Sequence, residues 1–160
     1  MFLPPILQQP APKTETSALA ALLQKRGAVV SLKRHALGAL YGHGTAELES
    51  LEATDGTDAR KGLGVHVAGA AKSDGEGRAI LDAPELPALL AALDRFQTEA
   101  PKLASGDAET SFTYTSNGGF TMELERGRDG VAFTLRAGRG EAVFATNQIA
   151  ALRQLIEKAK

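Results

Sequence analysis

Two short stretches carry the residues best suited to chemistry: TAELE at 45–49 and TMELE at 121–125. Each sets two glutamates two positions apart. In a strand that spacing puts both carboxylates on one face, about 7 Å apart. Carboxyl pairs roughly 5 to 10 Å apart are the working groups of glycoside hydrolysis. That chemistry also needs distinct environments and groups that hold the substrate. No aromatic platform and no fixed His or Arg accompanies Glu47, Glu49, Glu123 or Glu125 in sequence. The pentapeptides therefore read as the wet face of a strand, with Ala46, Leu48, Met122 and Leu124 forming its apolar underside. A hydrolase using these strand carboxylates is the least supported reading.

Other chemistries find less. His35, His43 and His66 match neither an H-x-x-x-H nor an H-E-x-x-H spacing, and the chain has no cysteine to complete a metal site or act as a nucleophile. His43, in LYGHGT, reads as a loop residue; His35 and His66 fall on expected strands. There is no G-x-S-x-G, no S-x-x-K set and no phosphate-binding Walker loop. GLGVHVAG (62–69) has G-x-G but lacks the third glycine, and it enters a strand rather than a helix. The expectation is a non-enzyme, with no catalytic residue, no cofactor and no metal.

Charge and aromatic content suggest a binding surface instead. The formal net charge of the chain is −1, but residues 28–99 carry −4 and residues 110–160 carry +2. Lys33 and Arg34 sit on the first expected strand. Arg126, Arg128, Arg136 and Arg139 crowd one hairpin of the second half, with Tyr114 nearby. These seven form the candidate binding surface. Phosphate contacts plus stacking rings are the minimum for single-stranded nucleic acid, yet aromatics make up only 5% of the chain. Phe112, Phe120 and Phe133 read better as core. A protein or peptide partner, or a second copy of the chain, is favoured over nucleic acid.

The elements that position these residues come in two similar sets. GRAILDAPELPALLAALDRF (77–96) aligns without gaps on GEAVFATNQIAALRQLIEKA (140–159), and GVHVAGA (64–70) resembles GVAFTLR (130–136). Offsets drift only where loops differ in length, as a duplicated unit would show. Alternation and β-branched content predict strands over 29–37, 45–53, 64–70 and 78–81, then over 111–115, 120–125, 131–136 and 141–145. SNGG (116–119) and RDG (128–130) are short hairpin signals; TDGTDARKG (54–62) and KSDGEG (72–77) read as longer loops.

Each set closes on a helix. Asp82 with Glu85 suggests a capping box, and Leu86, Leu89, Leu90, Leu93 and Phe96 form one apolar face. Thr146 is the expected cap of the last helix, whose stripe is Ile149, Leu152, Ile156 and Ala159. A short helix over 15–27 presents Leu19, Leu22 and Leu23 to the shared core.

The fold expected is α+β: two ββββα repeats with antiparallel sheets, packed into one pseudo-symmetric domain behind that N-terminal helix. The divisions are an extended Pro-rich leader (1–14), the N-terminal helix (15–27), the first repeat (28–97), a linker (98–109) and the second repeat (110–160). In this order of elements, over about residues 28–160, the chain resembles the Whirly and Pur-type single-strand nucleic-acid-binding folds. The resemblance is one of topology, with no family motif matched. It implies a sheet surface that holds single-stranded nucleic acid through basic and aromatic side chains.

No run of about 18 or more apolar residues exists, so no membrane span is expected. The leader MFLPPILQQPAPKT lacks the charged start of a signal peptide and reads as the beginning of an exported mature protein, favoured over a cytoplasmic one. Function narrows to a non-catalytic binding or structural module, with single-stranded nucleic-acid binding as the alternative.

Overall fold

A computed structural model describes residues 17–106, 110–128 and 130–159; the leader, part of the expected linker and the centre of the RDG turn lie outside these residues. The chain runs α1 (Ala18–Leu23), β1 (Ser31–Gly42), β2 (Gly44–Thr54), β3 (Ala59–Ala68), β4 (Glu76–Asp82) and α2 (Leu86–Ser105). It continues as β5 (Ser111–Thr115), β6 (Thr121–Gly127), β7 (Gly130–Ala137), β8 (Gly140–Phe144) and α3 (Gln148–Glu157). The strands form two antiparallel four-stranded sheets, ordered β1-β2-β3-β4 and β5-β6-β7-β8. The expected pair of ββββα units and the short N-terminal helix are both present.

Both pentapeptides lie on the second strand of their sheets, and Ala46, Leu48, Met122 and Leu124 are buried while Glu47 and Glu125 are exposed. In β2 the burial then changes sides. Ala46 and Leu48 face the main core, but the next buried residues are Leu51 and Ala53, which point the opposite way. They belong to a separate small cluster with Leu19 and Leu22 of α1. The helix thus covers the outer face of the first sheet rather than packing on the shared core, contrary to the sequence reading. An apolar pair pointing outward from a long strand needs a cover of its own, and α1 supplies it. Ser17 Oγ accepts from Ala20 N–H at 2.9 Å, and the Asp82 carboxylate accepts from Ala18 N–H at 2.8 Å and Leu19 N–H at 3.0 Å, so the end of β4 helps cap α1.

The first-sheet hairpins are longer than the sequence suggests. The β2–β3 turn is only four residues, tied by Asp55 Oδ1, which accepts from Thr57 N–H at 2.9 Å and Asp58 N–H at 2.7 Å. At the other end β1 continues to Gly42, because a bulge between Ala36 and Gly38 shifts the register and turns Leu40 into the core. His43 is not in a loose loop. It tops a tight hairpin, and its backbone exchanges hydrogen bonds with Val143 of β8 at 2.8 and 3.0 Å.

The largest departure concerns the expected linker. Residues 98–105 are helical: α2 runs 20 residues and passes through Pro101. Proline lacks the N–H for one intrahelical bond, but Ala100 just before it and Leu103 beyond it are buried, so tertiary packing outweighs the local preference. The apolar face read from the sequence is otherwise as expected, with Leu86, Leu89, Leu90, Leu93 and Phe96 all buried. Half of the capping box also forms, Asp82 N–H donating to Glu85 Oε2 at 2.8 Å. In α3 the helix begins at Gln148, one turn residue past Thr146, and buries Ile149, Leu152 and Ile156.

The two units exchange their helices. A 20-residue helix spans about 30 Å, which carries α2 away from β4 onto β5, β6 and β7 of the other sheet. There Phe96 meets Phe133 edge-on, with ring centroids 6.0 Å apart. The last helix returns to β1 and lies so close that a Cβ on Gly38 (φ +147°) would sit 2.7 Å from Leu155 Cδ2. The helices also meet each other through Arg153 and Asp94, at 2.7 Å. The sheets approach backbone to backbone: a Cβ on Gly140 would fall 1.9 Å from the Val67 carbonyl oxygen, and one on Gly77 would fall 2.1 Å from that of Ala137.

Candidate functional site

The helices cover the first sheet unevenly. On its outer face α1 shields only the end bearing Leu51 and Ala53, and the opposite end is open. Cross-strand register brings Ala39, Glu47, His66 and Arg78 into one row there, and Ala36, Glu49, Gly64 and Ile80 into the next. The small residues Ala36, Ala39 and Gly64 lower the floor between longer neighbours, leaving a groove of about 390 Å³ bounded by Leu23, Tyr41 and Arg78. Glu49 and Leu51 lean over Gly64, whose Cβ would meet Glu49 Cγ at 3.0 Å.

The polar groups of the groove form an open network. His66 Nε2 lies 3.1 Å from Glu76 Oε2 and Nδ1 lies 3.8 Å from Glu47 Oε2, while Arg34 Nε lies 3.7 Å from Glu49 Oε1. Arg78 makes no ion pair among the described residues, and Tyr41 is 73% exposed. Glu47 and Glu49 thus share one kind of surroundings, each beside a cationic or ionisable side chain and in contact with water. Carboxylate catalysis requires two contrasting environments, which this arrangement does not supply. Among the described residues, no group of three His, Asp or Glu side chains is placed to hold a metal ion.

The second pentapeptide meets a different fate. Arg136 sits between Glu141, with Nε to Oε2 at 2.9 Å, and Glu123, with Nη1 to Oε2 at 3.5 Å. Glu141 first, then Glu123, holds the guanidinium above its ordinary value. The T-x-E-L-E pattern therefore lines an open groove with both glutamates in one unit, while in the other only Glu123 joins the ion cluster and Glu125 stays exposed.

The seven residues read from the sequence as a binding surface are dispersed. Lys33 and Arg34 are neighbours on β1 and point to opposite faces, with Arg34 lining the groove and turned to Glu49. Tyr114 is half-buried on the helix-facing side of β5; burial and then Glu85 raise its phenol above the usual value. Arg126 and Arg128 are exposed at the far end of the β6–β7 hairpin. Arg136 is engaged as above, and Arg139 lies in the β7–β8 turn against Gly75. Phe120 and Phe133 are buried. Among the described residues, the one contact of a cation with an aromatic face is made by an arginine outside the seven, Arg95, 5.5 Å above half-buried Phe112.

Sequence reasoning weighed Glu47 and Glu49 for catalysis and His66 for a metal site but missed Tyr41 and Arg78 as their neighbours. Only the strand register joins them, and a single sequence carries no direct signal of register. No helix among the described residues is long and apolar enough to cross a membrane. No protein-family model matches the chain, and no curated protein matches it.

Proposed function

We propose that the protein is a non-catalytic binding module that receives an extended segment of a protein partner in the groove on the outer face of the first sheet. The observation that carries this reading is the groove itself. Its floor is small and apolar, its rim holds an exposed tyrosine and an arginine that makes no ion pair among the described residues, and it includes part of the edge strand β1. Tyrosine and arginine are the side chains that most often dominate binding energy at protein interfaces. An edge strand next to such a floor suits a peptide in extended form.

Single-stranded nucleic acid, the ligand that the Whirly-type topology would imply, is less favoured. It needs unpaired cations beside open stacking faces, and Arg34 and Arg136 are matched to carboxylates. The test is selection of binders from a displayed library of extended peptides, followed by affinity measurements on Tyr41→Ala and Arg78→Glu. Both substitutions are at the surface and leave unfolding unchanged. The expected loss at Tyr41 is about 2 kcal/mol, roughly thirtyfold in Kd. Selected peptides that bind both variants as well as the parent protein would remove the groove from consideration.

A further inference from the structure

The uneven covering of the first sheet leaves a second open area, on the opposite face and at the opposite end from the groove. Past the reach of α2 and α3, the inner face of β1–β3 carries the cross-strand row Lys33–Glu52–Lys61. Neighbouring strands lie about 4.8 Å apart, so the two lysines flank the glutamate at about 10 Å from each other. Lys158, just beyond the end of α3, closes the hollow from the other side, and exposed Pro87 at the start of α2, with half-buried Ala83 and Ala159, gives it an apolar wall. The hollow is open to solvent on one side and has a volume of about 870 Å³, within the range of small-molecule sites.

Three ammonium groups face one carboxylate in this hollow, and none of the three makes an ion pair among the described residues. Elsewhere the protein matches many of its exposed cations closely: Arg153 with Asp94 at 2.7 Å, Arg136 with Glu141 at 2.9 Å. A concave surface with an uncompensated charge of one sign focuses its field on an incoming counter-ion. Lysine suits this role as a mobile point charge for phosphate.

We propose that this hollow binds a small phosphate monoester with an apolar body, the phosphate held by Lys33, Lys61 and Lys158 and the body laid on Pro87. It is a separate site from the groove, and the two fail or stand independently. Glu52 limits the affinity by repelling the same phosphate.

The test follows backbone amide shifts of the full chain during titration with phenyl phosphate and with inorganic phosphate, at fixed ionic strength. Saturable shifts are expected along β1–β3 near Lys33 and Lys61, with phenyl phosphate binding more tightly than phosphate. Lys61→Gln and Lys33→Gln should each weaken binding roughly fivefold at low salt, the interaction of two exposed charges in contact. Glu52→Gln should strengthen it by a similar factor. Added salt should weaken binding throughout. Shifts that never saturate, or an affinity indifferent to all three substitutions, would overturn the proposal. Equal affinity for the two ligands would overturn the role of the apolar wall. Displacement of phenyl phosphate by a single-stranded oligonucleotide, in a length-dependent manner, would reassign the hollow to nucleic acid.

Discussion

Replacing Phe96 by alanine tests the helix exchange most directly. Phe96 belongs by sequence to the first unit, is 3% exposed, and packs edge-on against fully buried Phe133 of the second unit's β7. Truncating a buried phenylalanine costs about 3 to 5 kcal/mol, from lost transfer energy and from the cavity left behind. Single domains have only about 5 to 15 kcal/mol in total, so the variant should stay folded but with a sharply reduced urea midpoint. Phe133→Leu should cost less, since most of the volume remains. The decisive quantity is the coupling between the two substitutions. An edge-to-face pair contributes about 0.5 to 1.5 kcal/mol beyond area burial, and that part is lost only once in the double variant. Equilibrium unfolding of the four proteins in urea, at constant slope, measures it. Costs that add to within about 0.3 kcal/mol would mean that α2 does not rest on the second sheet.

Three further outcomes are expected. Gly140→Ala, which drives a Cβ to 1.9 Å from the Val67 carbonyl oxygen, should part the two sheets. Thermal unfolding should show a loss well above the roughly 1 kcal/mol typical of single substitutions, and a midpoint near that of the parent would contradict the close approach. Glu47→Ala and Glu49→Ala together should change stability by less than about 1 kcal/mol, as partly exposed ion pairs do; a larger loss in urea unfolding would show that these carboxylates are structural. Asp55 is held below the ordinary carboxylate range, first by Lys25 and then by the backbone N–H groups of Asp58 and Thr57. A depressed folded-state value stabilises the protein above the unfolded carboxylate's value of about 4 and loses that contribution as the pH falls below it. Asp55→Asn should therefore flatten the fall in thermal midpoint below about pH 4, and an unchanged slope would refute the assignment.

What the sequence makes legible is local pattern. The alternation in TAELE and TMELE identifies the second strand of each sheet, and the leucine stripe from Leu86 to Phe96 identifies a helix and its buried face. Even the change of side in β2 is written there, as the step from Leu48 to Leu51 that breaks the period of two. Its meaning is not, because Leu51 and Ala53 look continuous with the core until α1 is seen lying across them. Residues 98–109 read as a linker, a stretch in which the local cost of Pro101 is visible while the burial of Ala100 and Leu103 that offsets it is not. The groove and the hollow depend on register. Lys33, Lys61 and Lys158 are scattered along the chain, and only the pairing of Glu52 with both strands brings two of them together. The helix exchange is equally silent, since the same apolar stripe would serve against either sheet.

The exchange of α2 and α3 constrains how such a chain can exist at all. A lone ββββα unit would carry a helix whose resting place is on another sheet, and a sheet whose cover comes from another helix. Two separate copies could satisfy both needs only by embracing as a symmetric pair, each lending its helix to the other. Joined end to end, as here, the pair becomes a single molecule that no longer depends on protomer concentration. Within one molecule the two halves are not bound to be identical, and their glutamates differ in surroundings. The pair of glutamates at 47 and 49 lines an open groove, whereas in the other unit Glu123 turns to Arg136 and Glu125 stays exposed.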